Sequence, residues 1–476
     1  MLYLDITRLL SRLDAPTPTG IDRVEFEYAR HCLATGARFV AQTSTQFVEA
    51  PVWLVRRVVE HLAARWHEGA ATDPAIAHAV ARWQAQSEVS RDVSPVDRFL
   101  AELARSRGPD RRAMILKEEQ TIRARARRIP WPLTAAALYR APGLLRWLLV
   151  RRRGEDGRGP ALLVNPVEAR NVYLNVGHVG LHRAGLFQRL ARTRGLVKAI
   201  YVHDILPVSN PELFRKGVDS GHRLRLKTIE DCADLVFANS RFTRDEMQRH
   251  VPGIAVRAVL EIGVSVPAVP AAPVPARARR GFVTIGTIEP RKNHLWLVRA
   301  WLDHCRNRPD LDPEDVLTIY GKRGWLADED HDALMRLIEG SDRVRLVCGA
   351  DDAAVADALA HARAYVTAAP VEGWGMPLAE SLALATPVIA ADIPAHREVT
   401  RGLARFFAPG DAAGLRAGFD AMLDPGTQAS EIEAAARFVP WDWPSHFARL
   451  RSALDSAPHA PPSKAHHRPP AGRHQP

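Results

Sequence analysis

Short apolar runs bounded by glycine, proline, asparagine or aspartate recur along the chain. Between many of them, apolar positions return every three or four residues. "LYLDITRLL" reads as an opening strand, and "TPTGIDRVEFEYARHCLATG" as a Pro/Gly loop leading into an amphipathic helix. Residues 52–120 read mainly as polar helices. Strand-like runs resume at "ALLVNP", "NVYLNVG", "LVKAIYVHDILP", "ADLVFANS" and "GIAVRAVLEIGVSVP". Such alternation predicts a parallel sheet with helices on its faces. "VPAVPAAPVPARARR", residues 266–280, is rich in proline and alanine, lacks periodicity, and reads as an interdomain linker.

A second βα series follows, with strands at "GFVTIGTI", "DVLTIYG", "RVRLVCG" and "RAYVTAAP". Helices are expected at "NHLWLVRAWLDHC", "DHDALMRLIEG" and "DAAVADALAHA", and a terminal helix at "FVPWDWPSHFARLRSALDSA". The expected organisation is a first α/β domain over 1–265 with a basic helical insertion at about 50–160. The linker 266–280, a second α/β domain over 281–440, a helix over 441–457 and a disordered tail over 458–476 complete it. The four histidines of the tail read as solvated rather than metal-binding.

Composition narrows the picture. A chain of 476 residues exceeds what one core usually holds, which supports two domains. Cys32, Cys232, Cys305 and Cys348 show no C-x-x-C spacing, so neither a zinc site nor a disulfide framework is expected, and a cytoplasmic compartment fits. Asp5 and Arg8 interrupt the opening residues, which read as strand and loop rather than signal peptide. The net charge is +11, but residues 121–158 hold ten arginines against Glu155 and Asp156, eight of those eleven charges. The remainder is nearly balanced, which argues against nucleic acid as a partner. "RRIPWPLTAAALYRAPGLLRWLLVRRR" carries Trp131 and Trp147, and Arg140, Pro142 and Arg146 break its apolar runs short of a membrane span. Two readings stay open for it: peripheral attachment to the anionic inner face of the cell membrane, or a helical insertion packed on the first domain.

The candidate chemistry concentrates in "APVEGWGMPLAESLALATPVIAAD", residues 369–392. A buried strand ends at a glycine-broken loop, and Pro377 suits the first position of the helix that follows. The amides of Gly375 and Met376 then lie at a helix N-terminus, a ready anion site that glycine lets a ligand approach closely. Glu380 falls about one turn in and faces the crevice at the strand ends, where open α/β sheets bind ligands. In isolation it would be an ordinary first-turn acid. "GTIEPRKNHLWLV" supplies the complementary charge, because Arg291, Lys292 and Asn293 follow a strand ending at Gly286. Two adjacent cations in such a loop suit a diphosphate, arginine adding a planar fork. "DED" at Asp328–Asp330 opens a helix and reads as a solvated first turn rather than a metal site.

"GTIEPRKNH", "YGKRGW", "VCGADD", "EGWGMPLAESLALATPVIAAD" and "WDWPSHFARLRSAL" together resemble the C-terminal domain of family 4 retaining glycosyltransferases, the glycosyl transferases of group 1. That family has the GT-B fold: two Rossmann-like domains facing across a cleft, with a C-terminal helix returning toward the first. The resemblance covers 280–455 well, 165–264 more loosely and 50–160 hardly at all. It implies that Arg291 and Lys292 bind and neutralise the departing diphosphate, and that Glu380 holds the ribose hydroxyls. Glu372, with Gly373, Trp374, Gly375, Met376, Pro377 and Leu378, would meet donor sugar and phosphate. Gly286 would lie beside the phosphates, and Gly349 and Ala350 beside the base. In the first domain, Gly20 and Asp22 of "TPTGIDRV" would approach donor phosphate or acceptor, the alternative being a helix cap with Asp22 and Arg23 in solvent. His203 of "YVHDILP" would contact the donor sugar, and Ser240 would close a strand at the cleft. Gly177 and His178 of "NVGHVGLHR" carry no assigned role.

The resemblance thus implies a metal-independent enzyme without cofactor. It would move a hexose, with mannose as the guess, from a nucleotide-diphosphate sugar to a saccharide or lipid-linked acceptor in surface-polysaccharide synthesis. Two alternatives remain. A phosphorylase of the same fold would need a pyridoxal phosphate lysine site, which is not found. A catalytically silent nucleotide-sugar-binding subunit would have no need of Arg291, Lys292, Glu372 and Glu380 together.

Overall fold

The computed structural model describes residues 1–43, 46–89, 171–193, 195–266 and 272–456. The expected strand "ALLVNP", the basic segment 121–158 and the tail lie outside these residues.

Two sheets organise the described chain. The first contains β1 (Leu2–Asp5), β2 (Arg38–Gln42), β3 (Phe47–Ala50), β4 (Asn171–Asn175), β5 (Leu196–Val202), β6 (Leu235–Ala238) and β7 (Val256–Val259), in the order β3-β2-β1-β4-β5-β6-β7. All its pairings are parallel except β2 with β3. Every residue of β4, β5 and β6 is buried, which explains their continuous apolar runs: helices cover both faces of a parallel sheet.

The opening strand is shorter than its apolar run predicts. Asp5 accepts hydrogen bonds from the Thr7 amide (3.0 Å) and hydroxyl (2.5 Å), turning the chain into the short helix Thr7–Leu10. The helix Gly20–Thr35 begins at a capping box between Thr19 and Asp22. Helices Val52–Glu68 and Pro74–Val89 make up the described part of the expected insertion. The former buries Leu54, Val55, Val58, Val59, Leu62 and Trp66 against the first domain, so its "polar" reading holds for the outer face only.

The second sheet contains β8 (Phe282–Ile285), β9 (Leu317–Tyr320), β10 (Val344–Val347), β11 (Ala364–Thr367), β12 (Val388–Ala391) and β13 (Arg405–Phe407). It is wholly parallel, in the order β10-β9-β8-β11-β12-β13. This is the Rossmann order, whose direction reverses between β8 and β11. The end of the Pro/Ala-rich stretch belongs to this domain: Arg279 is fully buried and donates to Val274 O, Ala362 O, Ala385 O and Thr386 Oγ1.

The helix Trp443–Asp455 returns to the first domain. His446 ties it there, with Nε2 2.7 Å from the Tyr28 hydroxyl and Nδ1 2.8 Å from Glu261 O, while Phe447 stacks on His31 at 3.8 Å. Two Rossmann-like domains joined by a returning helix constitute the GT-B architecture.

Candidate active site

The order of the second sheet decides where a ligand would sit. Its direction reverses between β8 and β11, so the loops leaving those two strands flank the crevice at their carboxyl ends. These loops are Gly286–Asn293 and Ala368–Gly375, the two stretches that sequence singles out. They meet directly. The Arg291 guanidinium and the Lys292 ammonium both engage the Glu372 carboxylate, the latter at 2.5 Å. Arg291 also pairs with Glu289 at 2.6 Å.

Local chemistry explains the posture of each loop. Gly286 has φ +156°, and a side chain there would press on the Lys292 stem at 3.1–3.3 Å. Asn293 takes φ +56° and ends a short 3₁₀ turn, Pro290–Lys292, that presents both cations on one side. On the facing loop Gly375, at φ +95°, is the N-cap of the helix Met376–Ala383. That helix starts one residue earlier than Pro377 predicts, so the proline occupies its second position, where a missing N–H still costs nothing.

Burial sets the protonation states. Lys292 is held down to about 7, first by burial and then by Arg291. Burial raises the Glu289 carboxyl, against the opposing pull of Arg291 and Lys292. Behind them His294 is lowered to about 3 and His396 to about 4, both mainly by burial, so both rings are neutral near pH 7.

Glu380 lies one turn into its helix, partly exposed toward the interdomain cavity lined also by Pro18, Arg23, Trp66, His67, Met376 and Trp443. Burial raises its carboxyl, Arg23 opposes and Asp352 adds. Gly20 faces the same place from the first domain, with Met376 Sδ 3.4 Å from where its Cβ would stand. Trp374 and Leu378 are buried, Trp374 against Trp441, so from this loop the backbone, not those side chains, is offered to the cleft. Gly349, exposed at φ +76°, and Ala350 follow β10 just before Asp351, which caps the helix Asp352–His361.

The first-domain candidates divide. His203 is buried, with Nε2 2.8 Å from Val176 O; burial lowers it to about 4. A carbonyl partner assigns the proton to Nε2 and leaves Nδ1 as an acceptor. Asp22 is fully buried and already serves Thr19, Arg8 and Arg12, so it acts as a cap and ion-pair partner. Arg23 is not in solvent: it grips Asp352 across the cleft with both terminal nitrogens, and His67 Nδ1 lies 3.1 Å from the same carboxylate. Ser240 donates to Gly373 O at 2.8 Å, and Glu398 accepts from the amides of Arg241 and Phe242. Gly373 is a contact point, because a Cβ there would lie 2.7 Å from His203 O and 2.8 Å from Asp204 Cβ. Asp328, Glu329 and Asp330 form an exposed first turn, as expected. Among the described residues no group of three or more His, Cys, Asp or Glu side chains could hold a metal ion.

Sequence reasoning passes over Glu289, the Arg23–Asp352 pair and His396. Glu289 directly precedes the proline of the quoted motif and could have been weighed with the cations. The partners 23 and 352 are 329 residues apart, and no local signal joins them.

Residues 279–424 match the family described as glycosyl transferases group 1. The chain is 28% identical over 244 residues to the serotype-specific mannosyltransferase WbdA of Escherichia coli, covering 47% of this chain and 29% of that one. It is 28% identical over 233 residues to the Escherichia coli O-antigen chain mannosyltransferase B, covering 45% and 58% respectively. The chain thus spans less than a third of the length of WbdA. Among solved structures it is similar to TarM, at a TM-score of 0.45 and 14% identity over 60% of this chain and 55% of that one. Over residues 279–424, the chain is thus similar to the glycosyl transferases of group 1.

Proposed function

We propose that the chain is a retaining glycosyltransferase that moves a hexose, with mannose as the expected sugar, from a nucleotide diphosphate to a saccharide or lipid-linked acceptor in surface-polysaccharide synthesis. The similarity to two mannosyltransferases, one of them acting on O-antigen chains by its name, supports the sugar and the setting. The observation that carries the reading is the convergence of Arg291 and Lys292 on one carboxylate at the switch point of the second sheet.

Two cations that hold a carboxylate there can hold the oxygens of a diphosphate with the same donors. Glu372 would exchange its ion pairs for contacts with the sugar. Glu380 would accept from the ribose hydroxyls, and the Gly375–Met376 amides would face phosphate or sugar oxygens. As the bond from the anomeric carbon to the phosphate oxygen lengthens, charge grows on the diphosphate. Fixed cations in a dry cleft stabilise that charge without reorganising, which is the main catalytic term available. His203 Nδ1 would accept from a sugar hydroxyl.

The chemistry needs no metal or cofactor in this scheme. We place the protein in the cytoplasm, peripheral to the inner membrane face through 121–158. Among the described residues no helix is long and apolar enough to cross a membrane. Flotation with anionic vesicles tests the attachment: an Arg-to-Glu version of 121–158 should stay in the bottom fraction while wild type floats.

Donor hydrolysis across UDP-, GDP- and dTDP-sugars tests the activity. One nucleotide class should be turned over, and Lys292→Ala should lose at least about a hundredfold in kcat/KM. Nucleotide-sugar binding without any turnover, with acceptor extracts present, would favour the silent-subunit reading instead.

A further inference from the structure

The first sheet has a switch point of its own. β1 pairs in parallel with both β2 and β4, so the loops leaving β1 and β4 flank a second crevice, which the donor reading does not use. Basic side chains come from the elements around it, three of them histidines that burial holds below their ordinary range and so neutral. Arg8 comes from the segment after β1, and His178, His182 and Arg183 from the loop after β4. His222 and Arg225 come from the helix Val218–Cys232.

Their partners are unequal. Arg8 is matched by Asp22 at 2.6 Å. Among the described residues Arg183 donates only to neutral acceptors, Thr43 O and Gln42 Oε1, each at 2.6 Å. Arg225 gives one terminal nitrogen to His222 Nε2 at 3.1 Å, while its buried Nε has no hydrogen-bond partner among the described residues. Among the described residues no acid lies within ion-pair distance of Arg183 or Arg225. The acid nearest in influence is Asp204, one oxygen of which accepts from the Leu206 amide at 3.2 Å. Burial and then Arg8 lower Arg225, and burial and then Arg225 and Arg183 lower His182, so Arg225 lies within electrostatic reach of Arg8, and the neutral His182 ring within reach of Arg225 and Arg183. At the floor, Asp5 is saturated by Tyr173, Asn175 and Gln42 and cannot turn to neutralise them. A partly buried guanidinium without counter-charge is costly to maintain. A visiting anion removes that cost.

We infer that Arg225, flanked by Arg8 and Arg183, is the core of a second anion subsite that holds a phosphoryl group of the acceptor. The inference rests on the donor reading of the other crevice. Asp204 separates the two crevices: it borders Gly373 on one side and acts on Arg225 and His222 on the other. A phosphoryl group anchored at Arg225 would therefore direct the saccharide attached to it toward the donor sugar. A lipid diphosphate-linked saccharide and a soluble sugar phosphate present the same chemistry.

Calorimetric titration with inorganic pyrophosphate tests this in the Arg291→Ala/Lys292→Ala double variant, which lacks the donor cations. Binding should persist there, weaken at least tenfold when Arg225→Gln is added, and recover in part with Arg225→Lys. Arg183→Gln, a milder change at the rim, should weaken it less. Absence of pyrophosphate binding in the double variant, or indifference to Arg225→Gln and Arg183→Gln alike, overturns the second subsite. If wild type still binds a nucleotide diphosphate that the double variant has lost, the donor reading survives that result. Titration with a hexose 1-phosphate and with an alkyl diphosphate-linked hexose separates the sources: a tenfold preference for the latter identifies a lipid-linked acceptor.

Discussion

Lys292 is the residue whose physics is most exposed to test. Its ammonium is held down to about 7 because burial and Arg291 both disfavour the charge. A diphosphate restores a reason to be charged, so nucleotide-diphosphate binding should take up about one proton at pH 8 and almost none at pH 6. Calorimetry in buffers of different ionisation enthalpy reads this directly, and Lys292→Met should abolish the uptake. The sign for folding follows from the same shift. Between about 7 and 10.5 the unfolded chain binds a proton that the folded chain does not, so stability from this group rises with pH across that window. Glu372→Gln should weaken donor turnover yet leave nucleotide-diphosphate affinity equal or higher, because it frees both cations. At this scale the sequence was informative wherever a motif is local: "PRK" and "EGWG" could be read because backbone turns fix them. Asp22 was ambiguous because a cap and a ligand have the same side chain, and only its three partners decide between them.

Elements place these residues, and two of them carry sharp predictions. Gly373 has an ordinary backbone conformation, yet a Cβ there would collide with His203 O and Asp204. Gly373→Ala should therefore leave each domain folded but push the loop away from the first domain, costing tenfold or more in kcat/KM with the melting temperature little changed. Arg279→Ala should do the opposite. It strands the acceptors of four hydrogen bonds, three of them buried, and should cost about 2–4 kcal/mol in urea unfolding, with little direct effect on ligand contacts. The second βα series was legible because parallel strands covered on both faces are short, continuous apolar runs. β2 and β3 were not anticipated, since "RFVAQ" and "FVEA" are brief and lie beside a helix signal that dominates the reading. β1 stopped early because Asp5 hydrogen-bonds Thr7, a side-chain preference stronger than the apolar run.

At the scale of the whole molecule, contacts at several points hold the domains together: Arg23 and His67 on Asp352, Ser240 on Gly373, Glu398 on two helix-end amides, and Phe214 stacked on Trp325 at 6.0 Å. None of these pairs could be foreseen, because each joins residues more than a hundred positions apart. Arg23→Ala removes the bidentate contact, and small-angle scattering should then show a larger radius of gyration that nucleotide diphosphate reverses. The proposed chemistry depends on cations and carboxylates of one crevice gripping a departing diphosphate. Equilibrium binding of UDP, GDP and dTDP to wild type and to the Arg291→Ala/Lys292→Ala variant tests that most directly. One nucleotide should bind wild type and lose at least about a hundredfold in affinity in the variant. Equal affinity in the two proteins, or no binding of any of the three to wild type, would contradict it.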